Sequence, residues 1–120
     1  MKHPEAKEQT ALIQWLAFDT SKYPELKWLY AIPNDLRVTP QRARRAKAMG
    51  MKAGISDLCF PVPRGAYHGF YIEMKSAKGV LSSAQRDFLQ FVKSVGYKTA
   101  VCRSAAEARE KILDYLSNDG

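Results

Sequence analysis

Asp57 follows Gly54-Ile55-Ser56, and sixteen positions later Glu73 and Lys75 stand two apart at the end of Gly69-Phe70-Tyr71-Ile72. A carboxylate after a tight turn, then a carboxylate and a lysine at strand spacing, is the layout of a metal-dependent phosphodiesterase site. A hard cation such as Mg²⁺ takes oxygen ligands from one or two carboxylates, keeps several waters, and completes its shell with phosphate oxygens. Asp57 and Glu73 would supply those carboxylates, and the cation would polarise a phosphate and acidify a bound water. Lys75 would orient that water or stabilise charge developing at phosphorus. These two roles are not separable from residue types alone.

The acid-x-lysine tripeptide is weak by itself, since a chain with twelve acidic residues supplies about one by chance. Here there are three: Glu5-Ala6-Lys7, Glu25-Leu26-Lys27 and Glu73-Met74-Lys75. The first lies on an expected helix, where residues two apart do not face each other. The second follows Pro24 without an upstream turn and Asp. Side chains alternate along a strand, so Glu73 and Lys75 share one face while Ile72 and Met74 point to the other. At the end of an apolar strand, unpaired charge is otherwise expensive.

Elements must exist to position these groups. Pro4 suits the first turn of a helix, and Leu12, Ile13, Leu16 and Trp15 supply its apolar stripe to about Phe18. Trp28 to Ile32, ended by Pro33-Asn34, is expected as a buried strand. Thr39-Pro40 opens a short basic helix from Gln41 to Met49, closed by Gly50. Asp57 to Val62 and Gly69 to Lys75 form an antiparallel hairpin, which brings the start of one strand to the end of the other and so Asp57 to Glu73. Its turn also places Arg64 and His68 toward a candidate substrate groove, although a lone histidine is more often a surface or satisfied residue than a ligand. Ser82-Ser83 caps a helix with the stripe Phe88, Leu89, Val92 and Val95, and Gly96 ends it. Lys98 to Cys102 is a fourth strand, and Ser104 caps a last helix whose inner side is Ala105, Ala108, Ile112, Leu113 and Leu116. The order αβαββαβα predicts an α/β fold, a mixed four-stranded sheet flanked by helices, in one domain over 1–120.

Nineteen Lys and Arg against twelve Asp and Glu give a formal net charge of +7, which favours a polyanionic partner. The charge is clustered: Arg37, Arg42, Arg44, Arg45, Lys47 and Lys52 precede Asp57 with no acid among them. Such a segment neutralises phosphates and guides nucleic acid without reading bases. Apolar runs fall far short of the roughly 20 residues a membrane helix needs, and no signal-peptide core follows Met1, so a cytoplasmic protein is expected. Cys59 and Cys102 lack metal or redox spacing and read as buried thiols.

The ordered set of motifs resembles the VRR-NUC family of the PD-(D/E)XK nuclease superfamily, in its stand-alone phage or bacterial form. The matching residues are Glu5-x-x-x-Gln9-x-x-Leu12, Ala31-Ile32-Pro33-Asn34, Gly54-x-x-Asp57-Leu58, Tyr71-Ile72-Glu73-Met74-Lys75, Leu81-Ser82-x-x-Gln85 and Gly96-Tyr97. The resemblance implies a restriction-endonuclease-like fold, with Asp57 and Glu73 as metal ligands and Lys75 as the catalytic lysine. It also implies a further ligand on the first helix, Glu5 or alternatively Glu8, and a site-lining role for Gln85. The cofactor it implies is Mg²⁺, with Mn²⁺ substituting. It further implies structure-selective cleavage of DNA, four-way (Holliday) junctions above all, by a homodimer serving DNA repair. A flap or nicking endonuclease and a catalytically silent DNA-binding module are the alternatives. The family usually carries Pro immediately before the metal-binding Asp, where this chain has Ser56; Pro would rigidify the turn without touching metal.

Overall fold

The computed structural model describes residues 4–33 and 39–118. Four helices, α1 (Pro4–Asp19), α2 (Pro40–Ala48), α3 (Ser83–Ser94) and α4 (Ala105–Leu116), alternate with four strands, β1 (Tyr30–Ala31), β2 (Leu58–Phe60), β3 (Phe70–Met74) and β4 (Lys98–Cys102). The strands lie in chain order in one sheet. β1 and β2 are antiparallel, β2 and β3 antiparallel, and β3 and β4 parallel. The expected mixed sheet and element order are thus what the chain forms. Among the described residues no helix is long and apolar enough to cross a membrane.

One face of the sheet carries the core. Leu58, Phe60, Phe70, Ile72, Met74 and Cys102 pack against Leu12 and Leu16 of α1 and Ala105, Ala108, Ile112, Tyr115 and Leu116 of α4. Burying such side chains stabilises by about 1.5–3 kcal/mol each, the main favourable term in a domain this small. Tyr115 is buried without leaving its hydroxyl unpaired, because it donates to the Val62 carbonyl. The other face is covered by α3, whose Phe88 meets Tyr71 edge-on at 5.1 Å and which buries Leu89 and Val92.

Three expectations are corrected. The segment read as a buried strand from Trp28 begins as a 3₁₀ turn over Pro24–Trp28 and pairs only at Tyr30–Ala31, where both residues are exposed. It lies at the sheet edge, so its inward contacts come from Leu26 and Leu29 while Trp28 and Tyr30 face out. Ile13, Trp15 and Val95, assigned to inward stripes, are also exposed. Arg64 sits at the hairpin turn, the far end of β2 and β3 from Asp57, where it bonds the Leu116 carbonyl and pairs with Glu25. His68, at the same end, packs against Tyr97 and donates its backbone N–H to the Gly96 carbonyl. Neither lines a groove at the carboxylates.

Candidate active site

The register aligns Leu58 with Ile72, so one step further Asp57 stands opposite Glu73. The ladder continues through Asp57, whose carbonyl accepts from Ile32 N–H at 2.8 Å. Its carboxylate Oδ2 accepts from the Met74 N–H at 2.8 Å, fixing the side chain beside the end of β3. The turn before Asp57 is held from behind. Gly54 has φ +87°, and a Cβ there would fall 2.5 Å from the carbonyl carbon and oxygen of Ala84. The turn is therefore pressed onto the first turn of α3, closer than any side chain allows.

Glu73 is 3 % exposed. Its Oε2 accepts from Gln85 Nε2 at 3.0 Å, while its Oε1 is buried without a hydrogen-bond partner. Burial first, then the neighbouring Asp57 carboxylate, push Glu73 up to about 8, against the opposing pull of the Lys75 ammonium. Two adjacent carboxyls in a low-dielectric site do not both ionise readily.

Gln85 has a double task. It is the third residue of the capping box on α3, with its N–H donating to Ser82 Oγ and its Oε1 accepting from Ser82 N–H. With its oxygen so held, the amide nitrogen is aimed at Glu73, and a cap readable from Ser82-x-x-Gln85 becomes a positioning device.

Lys75 lies just past β3, its backbone N–H donating to the Cys102 carbonyl at 2.9 Å. The turn that follows folds back from Ser76 to Gly79, with Gly79 N–H on Ser76 O at 3.1 Å. A Cβ at Gly79 would lie 3.4 Å from Lys75 Cδ, so the turn backs the lysine stem. Arg103, the residue after β4, closes this turn by donating Nη1 to the carbonyls of both Ser76 and Gly79. No local pattern marks Arg103 from the sequence, because its partners lie 24 and 27 residues away.

The helix-borne acids stand apart from this pair. Glu8 Oε1 accepts from the Ala105 N–H at 2.7 Å, capping α4. Glu5 is half-buried on the first turn of α1. Among the described residues, no three or more His, Cys, Asp or Glu side chains gather closely enough to hold a metal ion. The donor set near Asp57 nonetheless fits a hard divalent cation. Two carboxylates meet across neighbouring strands, and one buried oxygen has no partner, an arrangement that is costly unless something positive is shared.

Arg42, Arg44, Arg45 and Lys47 are all exposed on α2, a helix with no buried residue, and Lys52 is exposed beyond it. Thr39 caps α2 by accepting from Arg42 N–H, and Pro40 occupies its first turn. Arg37 lies outside the described residues. A groove of about 770 Å³ lies elsewhere, between α1 and α4, lined by Trp15, Phe18, Tyr23 and Leu113 around the Asp19–Arg109 ion pair. It contains neither Asp57 nor Glu73.

A mixed sheet whose central antiparallel pair brings two carboxylates and a lysine to one end, beside a capped helix, defines a nuclease-type scaffold. The VRR-NUC domain model matches residues 3–106, and the chain belongs to that nuclease family. A solved structure described as a VRR_NUC domain protein is similar over 98% of this chain and 92% of its own, at 26% identity and a TM-score of 0.79. A comparison with curated proteins returns no match.

Proposed function

We propose that the chain is a Mg²⁺- or Mn²⁺-dependent endodeoxyribonuclease that cuts branched DNA, resolving four-way junctions as a homodimer. The observation carrying this reading is the Asp57–Glu73 pair, with the buried, partnerless Glu73 Oε1 beside a neighbouring carboxylate. When bound, a divalent cation supplies Lewis-acid polarisation of the phosphate and an acidified water. Asp57 and Glu73 would hold it; Glu8 is committed to Ala105, and Glu5, the remaining candidate on α1, would have to approach from the first turn of its helix to join them. Gln85 holds the Glu73 carboxylate in one orientation. Lys75 places a positive charge where the phosphate gains negative charge, in a site whose groups need no reorganisation. A water oxygen bonds to phosphorus and gives up a proton to solvent, the bond to the departing sugar oxygen breaks, and that oxygen takes up a proton from solvent. The exposed arginines of α2, with Arg37, neutralise backbone phosphates. Symmetric cutting of two strands needs two such sites, hence two chains.

The test is incubation with labelled four-way junction, flap and linear duplex, in Mg²⁺, Mn²⁺ or EDTA. Metal-dependent symmetric nicks in the junction are expected. Binding without cutting of any substrate defeats the nuclease reading in favour of a silent module, and asymmetric cutting of flaps alone defeats junction resolution. Asp57→Ala should abolish cleavage while junction binding persists.

A further inference from the structure

We infer that Tyr30, with Trp28 two residues before it, forms a stacking site for an unpaired nucleobase on the carboxylate side of the sheet edge, so that the favoured DNA exposes an unpaired base at its branch point. This deepens the proposed function and rests on it.

Tyr30 pairs with Cys59, and Cys59 with Tyr71, in one row across the sheet. Directly paired residues share a face, and so do residues two apart along a strand. Tyr30 therefore lies on the face that carries Asp57 and Glu73. Two residues along and one strand across put it about 8 Å from Asp57. Tyr30 is 51% exposed, although it stands directly opposite the buried Cys59. Trp28 is 61% exposed, and Lys27 Nζ stands 5.1 Å from its ring centroid. Leu29, between them, packs into the core, which turns both aromatic rings away from it.

Single exposed aromatics on a surface need no explanation. These two differ in position: Tyr30 lies one strand across from the site, Trp28 carries a lysine, and the chain runs from them to the unbroken cationic helix α2. Charge complementarity favours a polyanion over a second copy of a chain with a formal net charge of +7. Two side chains, one on a two-residue strand and one at the end of the 3₁₀ turn before it, also fall far below the roughly 800 Å² per partner of a stable protein interface. A fully paired duplex offers no free base face in its interior, whereas an unpaired base stacks on an aromatic ring irrespective of sequence.

Binding is measured by fluorescence anisotropy in EDTA, comparing a duplex with a single-stranded thymidine arm and a fully paired duplex of equal length. A 2-aminopurine at the first unpaired position reports stacking. Tyr30→Ala and Trp28→Ala should each weaken binding of the armed duplex roughly five- to hundred-fold and release the quenched 2-aminopurine. The paired duplex should bind as before, and Tyr30→Phe should retain the wild-type preference. Equal losses on both DNAs, or none on the armed one, overturn the inference. So does a sedimentation shift from dimer to monomer in Tyr30→Ala with the DNA preference intact, which would make this surface an interface between copies. Wild-type cleavage in Mg²⁺ is scored separately. A chain that cuts DNA but ignores these substitutions loses only this inference, and one that selects unpaired DNA through Tyr30 yet never cuts loses only the nuclease reading.

Discussion

Replacing Glu73 with Gln should stabilise the metal-free protein above neutral pH while removing its catalytic competence. Glu73 is buried with one oxygen unpaired, and its proton is held up to about 8, against an ordinary 4.5. Between those values the folded chain binds a proton that the unfolded chain has released, so folding grows less favourable as pH rises. The contribution is fully present below the ordinary value and lost as pH passes through about 8. Linkage sets the slope at about 1.4 kcal/mol per pH unit. Wild-type stability should therefore fall by about 3 kcal/mol from pH 5 to 7.5, a large part of the roughly 5–15 kcal/mol a domain has. The amide of the Glu73→Gln variant has nothing to titrate, can still accept from Gln85, and can turn an N–H toward Asp57 in place of a repelling oxygen. Urea unfolding followed by circular dichroism in EDTA, at steps from pH 5 to 8, gives the comparison. Near-coincident stabilities at pH 5 are expected, with the variant ahead by about 3 kcal/mol at pH 7.5. Saturating Mg²⁺ should restore the wild type alone, because it acts by binding the folded carboxylates. Parallel pH curves for the two proteins would refute the argument, since the buried proton would then not reside at this pair.

Arg44→Ala combined with Arg45→Ala should weaken DNA binding and make the log affinity against log salt slope shallower by about 2, from an expected −4 to −5 when roughly 4 to 6 phosphates are neutralised. Metal binding, followed by calorimetry, should be unchanged. Gly54→Ala places a methyl into the Ala84 backbone at positive φ, so a loss of roughly 1–3 kcal/mol in urea unfolding is expected, with cleavage falling because Asp57 and α3 move apart. Arg103→Ala should lower kcat roughly ten- to hundred-fold through misplacement of Lys75, with KM and the metal affinity near wild type; a loss of metal affinity instead would assign Arg103 to the carboxylates rather than to the lysine turn.

What the sequence made legible was local. β4 was expected over Lys98 to Cys102 and forms there, because a short apolar run between Gly96 and Ser104 has punctuation at both ends. The cap of α3 was legible for the same reason, through Ser82 and Gln85. The strand at Trp28 was misjudged because aromatic content signals a pleated environment without telling edge from centre. Tyr115 and Arg103 were passed over because their hydrogen-bond partners, Val62 and the Ser76–Gly79 turn, are far away in sequence. Glu8 against Glu5 was open because helical spacing places both on α1, and only the approach of α4 shows that Glu8 has a structural acceptor's task.

The Ser56 position shows how the two kinds of information combine. A proline before Asp57 would stiffen the turn by fixing its own φ, and its replacement by Ser leaves open what holds the carboxylate in place. Here the stiffness comes from contacts made across the fold. Ser56 is fully buried, Gly54 is pressed on Ala84, and the Asp57 carbonyl and carboxylate are bonded to Ile32 and Met74. The turn is thereby fixed to β1, to β3 and to the helix that carries Gln85. One rigid unit then sets the spacing of Asp57 and Glu73, so the departure from the family pattern changes how the turn is held while leaving the carboxylate pair side by side.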